Sequence, residues 1–403
     1  MASPRFSKYS WLDFLFSVVG VCTYLFDVGS DIWVGTEFYS RGEFFWFGVL
    51  VGLMVLSSVV VQMFSWFWFK YDRDLEGFDS LIDRNVLFGF CGKLSLILHV
   101  FQLGFFCRHV SVIWHGFRVW WRREAGSEYA VYLTHDLSML RLIETFCESA
   151  PQLTLMTHIT LHTDSARTVQ YVSVVASITS IAWMVVDYHR SLRSFLPDKA
   201  KQGWSSAFVY FLWNLLLIAP RVAAVALFST VLPLFVAAHF LLIWPVLVFW
   251  AWRQQTDFMD SAGGEWLYRA TVGLIWYFSW FNVAEGGTRK RSIIYHTFVA
   301  TDGGILLVTW WFYRDPVLTQ AYAPVLLAIL PLTYLMGLLL KTLYYCCFHP
   351  TKWRPHVQEV GAELPDGQGV SFRTISSPTG APCVRNKRMA CHATCFYFKV
   401  EAL

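Results

Sequence analysis

About ten stretches of this 403-residue chain are apolar over, or nearly over, the roughly 20 residues that an α-helix needs to cross a bilayer. That repetition constrains the fold more than any motif does. In lipid every backbone N–H and C=O must be satisfied within the protein, so only helices and closed barrels span it. The stretches are continuously apolar rather than alternating as barrel strands do. Composition agrees, with 56% hydrophobic, 18% aromatic and 15% charged residues and a mean hydropathy of +0.44, more than a soluble domain needs. The sequence predicts an all-α polytopic membrane protein.

Taken in order, spans are expected at 11–34, 44–69, 129–161 and 168–192, then at 204–228, 233–252, 292–313 and 321–345. Two further apolar segments, 86–106 and 270–283, are flanked on both sides by polar or basic sequence, which suits a re-entrant hairpin better than a crossing. Arg5 and Lys8 precede the first span, Arg190, Arg193, Lys199 and Lys201 end the fourth, and Lys352 and Arg354 follow the last. The positive-inside rule puts these basic regions, and both termini, on the cytosolic side. Each half then holds an even number of crossings. The expectation is eight transmembrane helices plus two re-entrant hairpins in two similar halves, 1–203 and 204–349, with a cytosolic tail at 350–403. Internal repeats with discontinuous elements near mid-membrane are usual in proteins that move material across bilayers.

Much chemistry has no visible machinery here. No GxSxG elbow, Walker loop or GxGxxG is present, so no enzyme activity, cofactor or nucleic-acid partner is expected. His158 and His162 lie four apart but lack a third ligand, and Cys391, His392 and Cys395 lack a second pair, so no metal site is expected. Nine cysteines, several within apolar segments, do not read as a disulfide framework, and no Asn-X-Ser/Thr sequon occurs. The opening MASPRFSKYSW has no small-residue cleavage site after a short apolar core, so the first span is expected to direct insertion itself. Aromatic clusters such as FSWFWF at 64–69 read as interfacial anchors.

The charges inside the spans need a reason. HDLSMLRLIETFCESAPQL, residues 135–153, carries Asp136, Arg141, Glu144 and Glu148 and then meets Pro151. Residues three and four apart share a helix face, so Arg141, Glu144 and Glu148 form a polar stripe opposite Met139, Leu142, Ile143 and Phe146. The first span carries Asp13 near its start and Asp27 and Asp31 four apart. Two central carboxylates disfavour insertion by roughly 5 to 7 kcal/mol, and about fifteen apolar residues offset about as much, so this span should pack its acidic face against protein. Arg141, Lys93 and Arg190 are the candidate partners by type. Asp187 and Arg190 sit three apart, and Asp302 interrupts the seventh span. Such a set reads as a hydrophilic track through the bundle; the competing reading is ion pairing that fixes helix order.

The stretches SMLRLIETFCESAPQLTL (138–155), LFDVGSDIW (25–33), VDYHRSLRSFLPDK (186–199), VYFLWNLLLIAPRVAAVALF (209–228) and YFSWFNVAEG (277–286) closely resemble the XK-related family, within it most nearly the caspase-activated phospholipid scramblases. The resemblance implies eight spans, two hairpins and two repeats, in agreement with the pattern above. It also implies energy-independent movement of membrane phospholipids between leaflets, exposing phosphatidylserine on apoptotic cells from the plasma membrane. It places Asp13, Asp27, Asp31, Glu144, Glu148, Asp187, Arg190 and Asp302 at intramembrane charged positions, and Arg141 belongs to the same expected lipid pathway. An effector caspase and a single-span immunoglobulin-type glycoprotein are the implied partners. From residue 316 onward the one aspartate is Asp366, within AELPDGQGVS, so cleavage is expected between Asp366 and Gly367. The released segment, with Arg385, Lys387 and Arg388 ahead of an apolar end, is expected to hold the path shut. The alternatives are a non-scrambling transporter or channel-like subunit of a heteromeric complex, and a structural partner whose charges only fix packing.

Overall fold

The computed structural model describes residue 9 and residues 11–72, 91–122, 127–162, 168–195, 202–283 and 288–348. Among them there are helices and turns and no strand. Helices α1 (Trp11–Ser40) and α2 (Phe44–Asp72) are followed by α3 (Cys91–Val100) and α4 (Gly104–Arg122). Next come α5 (Ser127–Glu144), a π turn (Thr145–Ser149), α6 (Ala150–His162) and α7 (Thr168–Phe195). The second half holds α8 (Trp204–Val231), α9 (Pro233–Arg253), α10 (Ala262–Phe278), α11 (Thr288–Tyr313), the short α12 (Pro316–Thr319), α13 (Ala323–Leu343) and a π turn (Tyr344–Phe348). Both halves thus run as two long helices, a shorter insert, and two more long helices.

Six helices, α1, α2, α8, α9, α11 and α13 with its π turn, are long and apolar enough to cross a membrane on their own terms. The two expected spans at 129–161 and 168–192 are also helices of spanning length, α5 through α6 and α7, but they carry the charged stretch and Asp187. The first helix runs to Ser40, past the expected end at 34. It stops where Gly42, at φ +74°, lets the Glu43 and Gly42 amides reach back to Phe38 O (3.0 Å) and Tyr39 O (3.1 Å) and satisfy the last carbonyls.

The described part of the expected insert at 86–106 is a helical hairpin from Cys91, with its second limb extending to Arg122 and its tip at Phe101–Leu103. Gln102 sits at φ 64°, an αL position that glycine usually takes. The middle of α2 holds it there: Ser58 donates to Gln102 Oε1 (2.5 Å) and Gln62 Nε2 donates to Gln102 O (2.9 Å). Since Ser58 is the midpoint of α2, the tip lies halfway along a span, where its bare backbone groups require such partners. One turn past the tip, Arg108 of α4 donates to Ser65 Oγ (2.7 Å) and Ser65 O (2.8 Å) and pairs with Asp136 of α5 (3.4 Å).

The insert expected at 270–283 differs: one helix, α10, begins at Ala262 and is followed by an extended limb to residue 283. Ser261 caps it by accepting from Gly264 N, and Glu265 holds the preceding turn through Thr256 Oγ1 (2.6 Å) and the Phe258 and Met259 amides (both 2.8 Å). The core is organised on α8. Of its most apolar stretch, 67% is buried, against 28% or less in the five other apolar helices. It packs on α6, α7, α11 and α13, and Gly337 of α13 lets that helix seat on Leu217, where a Cβ would stand 2.8 Å from Leu217 Cδ2.

Candidate functional site

The charged stretch is a single helix interrupted by one π turn. Pro151 has no N–H to give Cys147 and its ring would clash with that carbonyl, so the turn before it widens. The Ala150 amide bonds to Thr145 O instead, a five-residue step. Met139, Leu142, Ile143 and Phe146 are all buried in the main core, as the stripe pattern predicts. The opposite face turns to α1.

There α1, whose backbone packs on α2 and α4, is reached by side chains of the α5–α6 rod at successive levels. Gly20 seats against Arg141, whose Nη1 lies 2.6 Å from where a Cβ would be. Arg141 Nη2 donates to Thr23 Oγ1 (2.7 Å). One and two turns further on, Asp27 faces Arg141 and Ser149, and Glu144 faces Arg141, Asp27 and Asp31. Glu148 faces Asp31, Glu144 and Ser57 of α2, and Gln152 Nε2 donates to Asp31 Oδ1 (2.9 Å). Four carboxyl groups therefore line this seam, and Arg141 faces two of them, Asp27 and Glu144. His109 of α4 adds a ring stacked on Tyr24 at 4.6 Å.

The seam is not closed on itself. Arg141 Nε, Asp31 Oδ2, Ser57 Oγ and His109 Nε2 are buried and have no hydrogen-bond partner among the described residues. Buried polar atoms are ordinarily paired, so spare donors and acceptors in one line mark a surface suited to polar groups. Outside it, α1 presents Leu25, Phe26, Ile32 and Trp33 outward, with Phe26 78% exposed. One helix thickness separates the seam from lipid.

Toward the start of α1 the seam continues into a cavity of about 30 Å³ bordered by Tyr9, Asp13, Phe16, Asp187 and Arg190. Arg190 pairs with Asp13 (3.6 Å) and lies 3.7 Å over the Phe16 ring, while Asp187 faces both Arg141 and Arg190. Burial pushes the Tyr9 hydroxyl up to about 12, which keeps it protonated at the mouth. Asp13, Asp27, Asp31, Arg141, Glu144, Glu148, Asp187 and Arg190 thus come together.

Asp302 does not join them. It lies in the second half, ion-paired with Arg221 of α8 and 3.0 Å from His239 Nε2 of α9. Arg221 Nε also donates to Tyr277 O (2.9 Å), and the Tyr277 hydroxyl meets His239 Nδ1 (2.9 Å). Sequence reading missed Arg221 and His239; each is a lone polar residue in an apolar run, a signal that names no partner. It also missed Lys341, whose ammonium donates to Ser292 Oγ and His296 Nε2 (both 2.7 Å) between the rings of Trp213 and Trp280. His158 meets Ser229 Oγ (2.8 Å), and Arg41 pairs with Glu37. The Lys93 and His162 side chains and the tail positions Asp366, Gly367, Arg385, Lys387 and Arg388 lie outside the described residues.

A family model described as XK-related protein matches residues 15–350, which takes in all the described helices except the first four residues of α1. The chain belongs to the XK-related family. Relatives named XK-related protein 8 match it end to end. That of Gasterosteus aculeatus is 65% identical over 402 residues, covering 98% of this chain and 99% of the relative. That of Tetraodon nigroviridis is 66% identical over 401 residues, with the same coverage. That of Pan troglodytes is 40% identical over 394 residues, covering 96% of this chain and 95% of its own. Membership makes this an XK-related membrane protein whose charged seam lies within the matched region.

Proposed function

We propose that this chain is an energy-independent phospholipid scramblase of the plasma membrane, opened by caspase cleavage, that exposes phosphatidylserine on apoptotic cells. The observation that carries this reading is the seam between α1 and α5–α6, in which four carboxyl groups and Arg141 line up with unpaired polar atoms one helix away from lipid. A zwitterionic or anionic head group meets a steep barrier in hydrocarbon because its polar atoms go unsatisfied. The carboxyl groups, with Arg141 among them and Arg190 at the mouth, offer those atoms partners while the acyl tails stay in the bilayer. Outward displacement of α1, whose outer face is already apolar, would open the seam to lipid along its length.

Arg190 and Asp13 at the mouth would receive the head group from the cytosolic leaflet. The gate in this reading is the tail: cleavage between Asp366 and Gly367 removes the basic segment with Arg385, Lys387 and Arg388 that holds the path shut. The same reading puts both termini in the cytosol and gives the chain a single-span immunoglobulin-type glycoprotein as subunit, with no hydrolytic chemistry of its own.

The test is a fluorescent-lipid assay on the purified full chain in liposomes, with and without effector caspase. Labelled lipid should become accessible from the opposite leaflet after cleavage, and a chain truncated after Asp366 should scramble constitutively. A truncated chain as silent as the intact one would overturn the gating. Solute or ion flux without lipid movement would overturn the scramblase itself.

A further inference from the structure

The last helix carries a lipid-facing stripe to its own end. Along α13 the exposed residues Leu332, Leu335, Leu339 and Leu343 recur at helical spacing, and the π turn that follows leaves Cys346 and Cys347 both exposed just past that stripe. Of the other cysteines in described helices, Cys22 lies in α1, Cys91 begins α3, Cys107 lies in α4 and the buried Cys147 lies in the π turn before α6.

Depth is the second observation. The 21 residues of α13 rise about 30 Å, the thickness of the hydrocarbon layer, so residues beyond Leu343 stand in the head-group region. The neighbouring helix gives the same level independently. Lys341 bonds Ser292 at 2.7 Å, and one turn beyond Ser292 lie the exposed Arg289 and Lys290. Two adjacent thiols therefore face the bilayer at the level of a basic interface, where juxtamembrane cysteines meet acyl donors.

We propose that Cys346 and Cys347 are sites of reversible S-acylation by long-chain fatty acyl groups. The sulfur of either cysteine attacks the carbonyl of a long-chain acyl-coenzyme A thioester. The new protein thioester forms as the bond to coenzyme A breaks, and the cysteine proton ends on the released coenzyme A thiol, so no oxidant or reductant is needed. Each acyl chain enters the leaflet beside Leu339 and Leu343, and a pair of chains fixes the root of the tail to the membrane where one would hold it only marginally. The proposal rests on the cytosolic orientation of this end given above, since acyl-coenzyme A is supplied there.

The experiment is acyl exchange on the full chain expressed in animal cells: thiols are blocked, thioesters are cleaved with hydroxylamine, and the new thiols take a mass tag. The wild-type chain should gain up to two hydroxylamine-dependent tags, and Cys346→Ser with Cys347→Ser should lose both, while Cys22→Ser keeps them. Mass spectrometry of the wild-type tryptic peptide 342–352 should show the acyl adduct whether or not the double variant accumulates. A wild-type chain without hydroxylamine-dependent tags, or a double variant that keeps them, overturns the proposal. A membrane-impermeant maleimide separates the two readings: it should label these thiols, after hydroxylamine, only in permeabilised cells. Labelling of intact cells would overturn the orientation, whereas inside-only labelling with no adduct overturns acylation alone.

Discussion

The two halves of this protein share an order of elements and differ in how their central charge clusters are satisfied. Among the described residues of the second half the clusters around Asp302, Glu265 and Lys341 are closed, while Arg314 Nε is left without a hydrogen-bond partner. Asp302 is held by Arg221 and His239, Glu265 by Thr256, two amides and Arg269, and Lys341 by Ser292 and His296. In the first half the seam between α1 and α5–α6 carries four carboxyl groups, two of them facing Arg141, and leaves four buried polar atoms without a hydrogen-bond partner among the described residues. The difference teaches that charge in a span is not one signal. A satisfied cluster fixes helix order, and an unsatisfied one leaves donors and acceptors for a further polar group.

The largest effect that sharpens this contrast should come from opening the closed cluster. Arg221→Leu leaves Asp302 buried with His239 as its remaining charge partner and should destabilise the protein by about 3 to 5 kcal/mol. Thermal unfolding in detergent checks it, and Arg221→Leu with Asp302→Leu together should recover much of the loss. A stable single variant would break the comparison. Next, replacing Glu144 and Glu148 together by Leu should abolish lipid scrambling in liposomes while leaving the melting temperature level or higher. Scrambling that survives would make the seam mere packing.

Smaller effects follow. Arg108→Ala removes the bonds to Ser65 and the pair with Asp136, and should cost about 1.5 to 3 kcal/mol, read from the same melts. Pro151→Ala restores an amide and removes the cause of the π turn. It should leave stability within about 1 kcal/mol, yet slow scrambling by rotating Glu144 and Glu148 away from Gln152 relative to α1. Unchanged rates would mean the π turn does not set the register of the seam.

Much of the seam was legible because its cause is local. The spacing of Arg141, Glu144 and Glu148, and of Asp27 and Asp31, puts each set on one helix face whatever surrounds it. Opposite charge in two spans then calls for contact, and Arg141 does reach α1. The fate of Asp302 was not legible. Its partner Arg221 lies 81 residues away, and nothing in either apolar run says that the two helices touch at that level. The hairpin tip is similar: the sequence shows a segment with basic flanks, but Ser58 and Gln62 read as ordinary polar residues of a span until Gln102 is found against them.

By itself the sequence determined that this is a helical membrane protein, where most of its spans run, and which faces carry charge, because burial in lipid acts on each segment's length and each helix's period independently. Tertiary structure alone decided which charges are spent on one another and which are left in a line. That depends on the register between helices distant in the chain, set by contacts such as Gly20 on Arg141 and Gly337 on Leu217, and no local pattern encodes it.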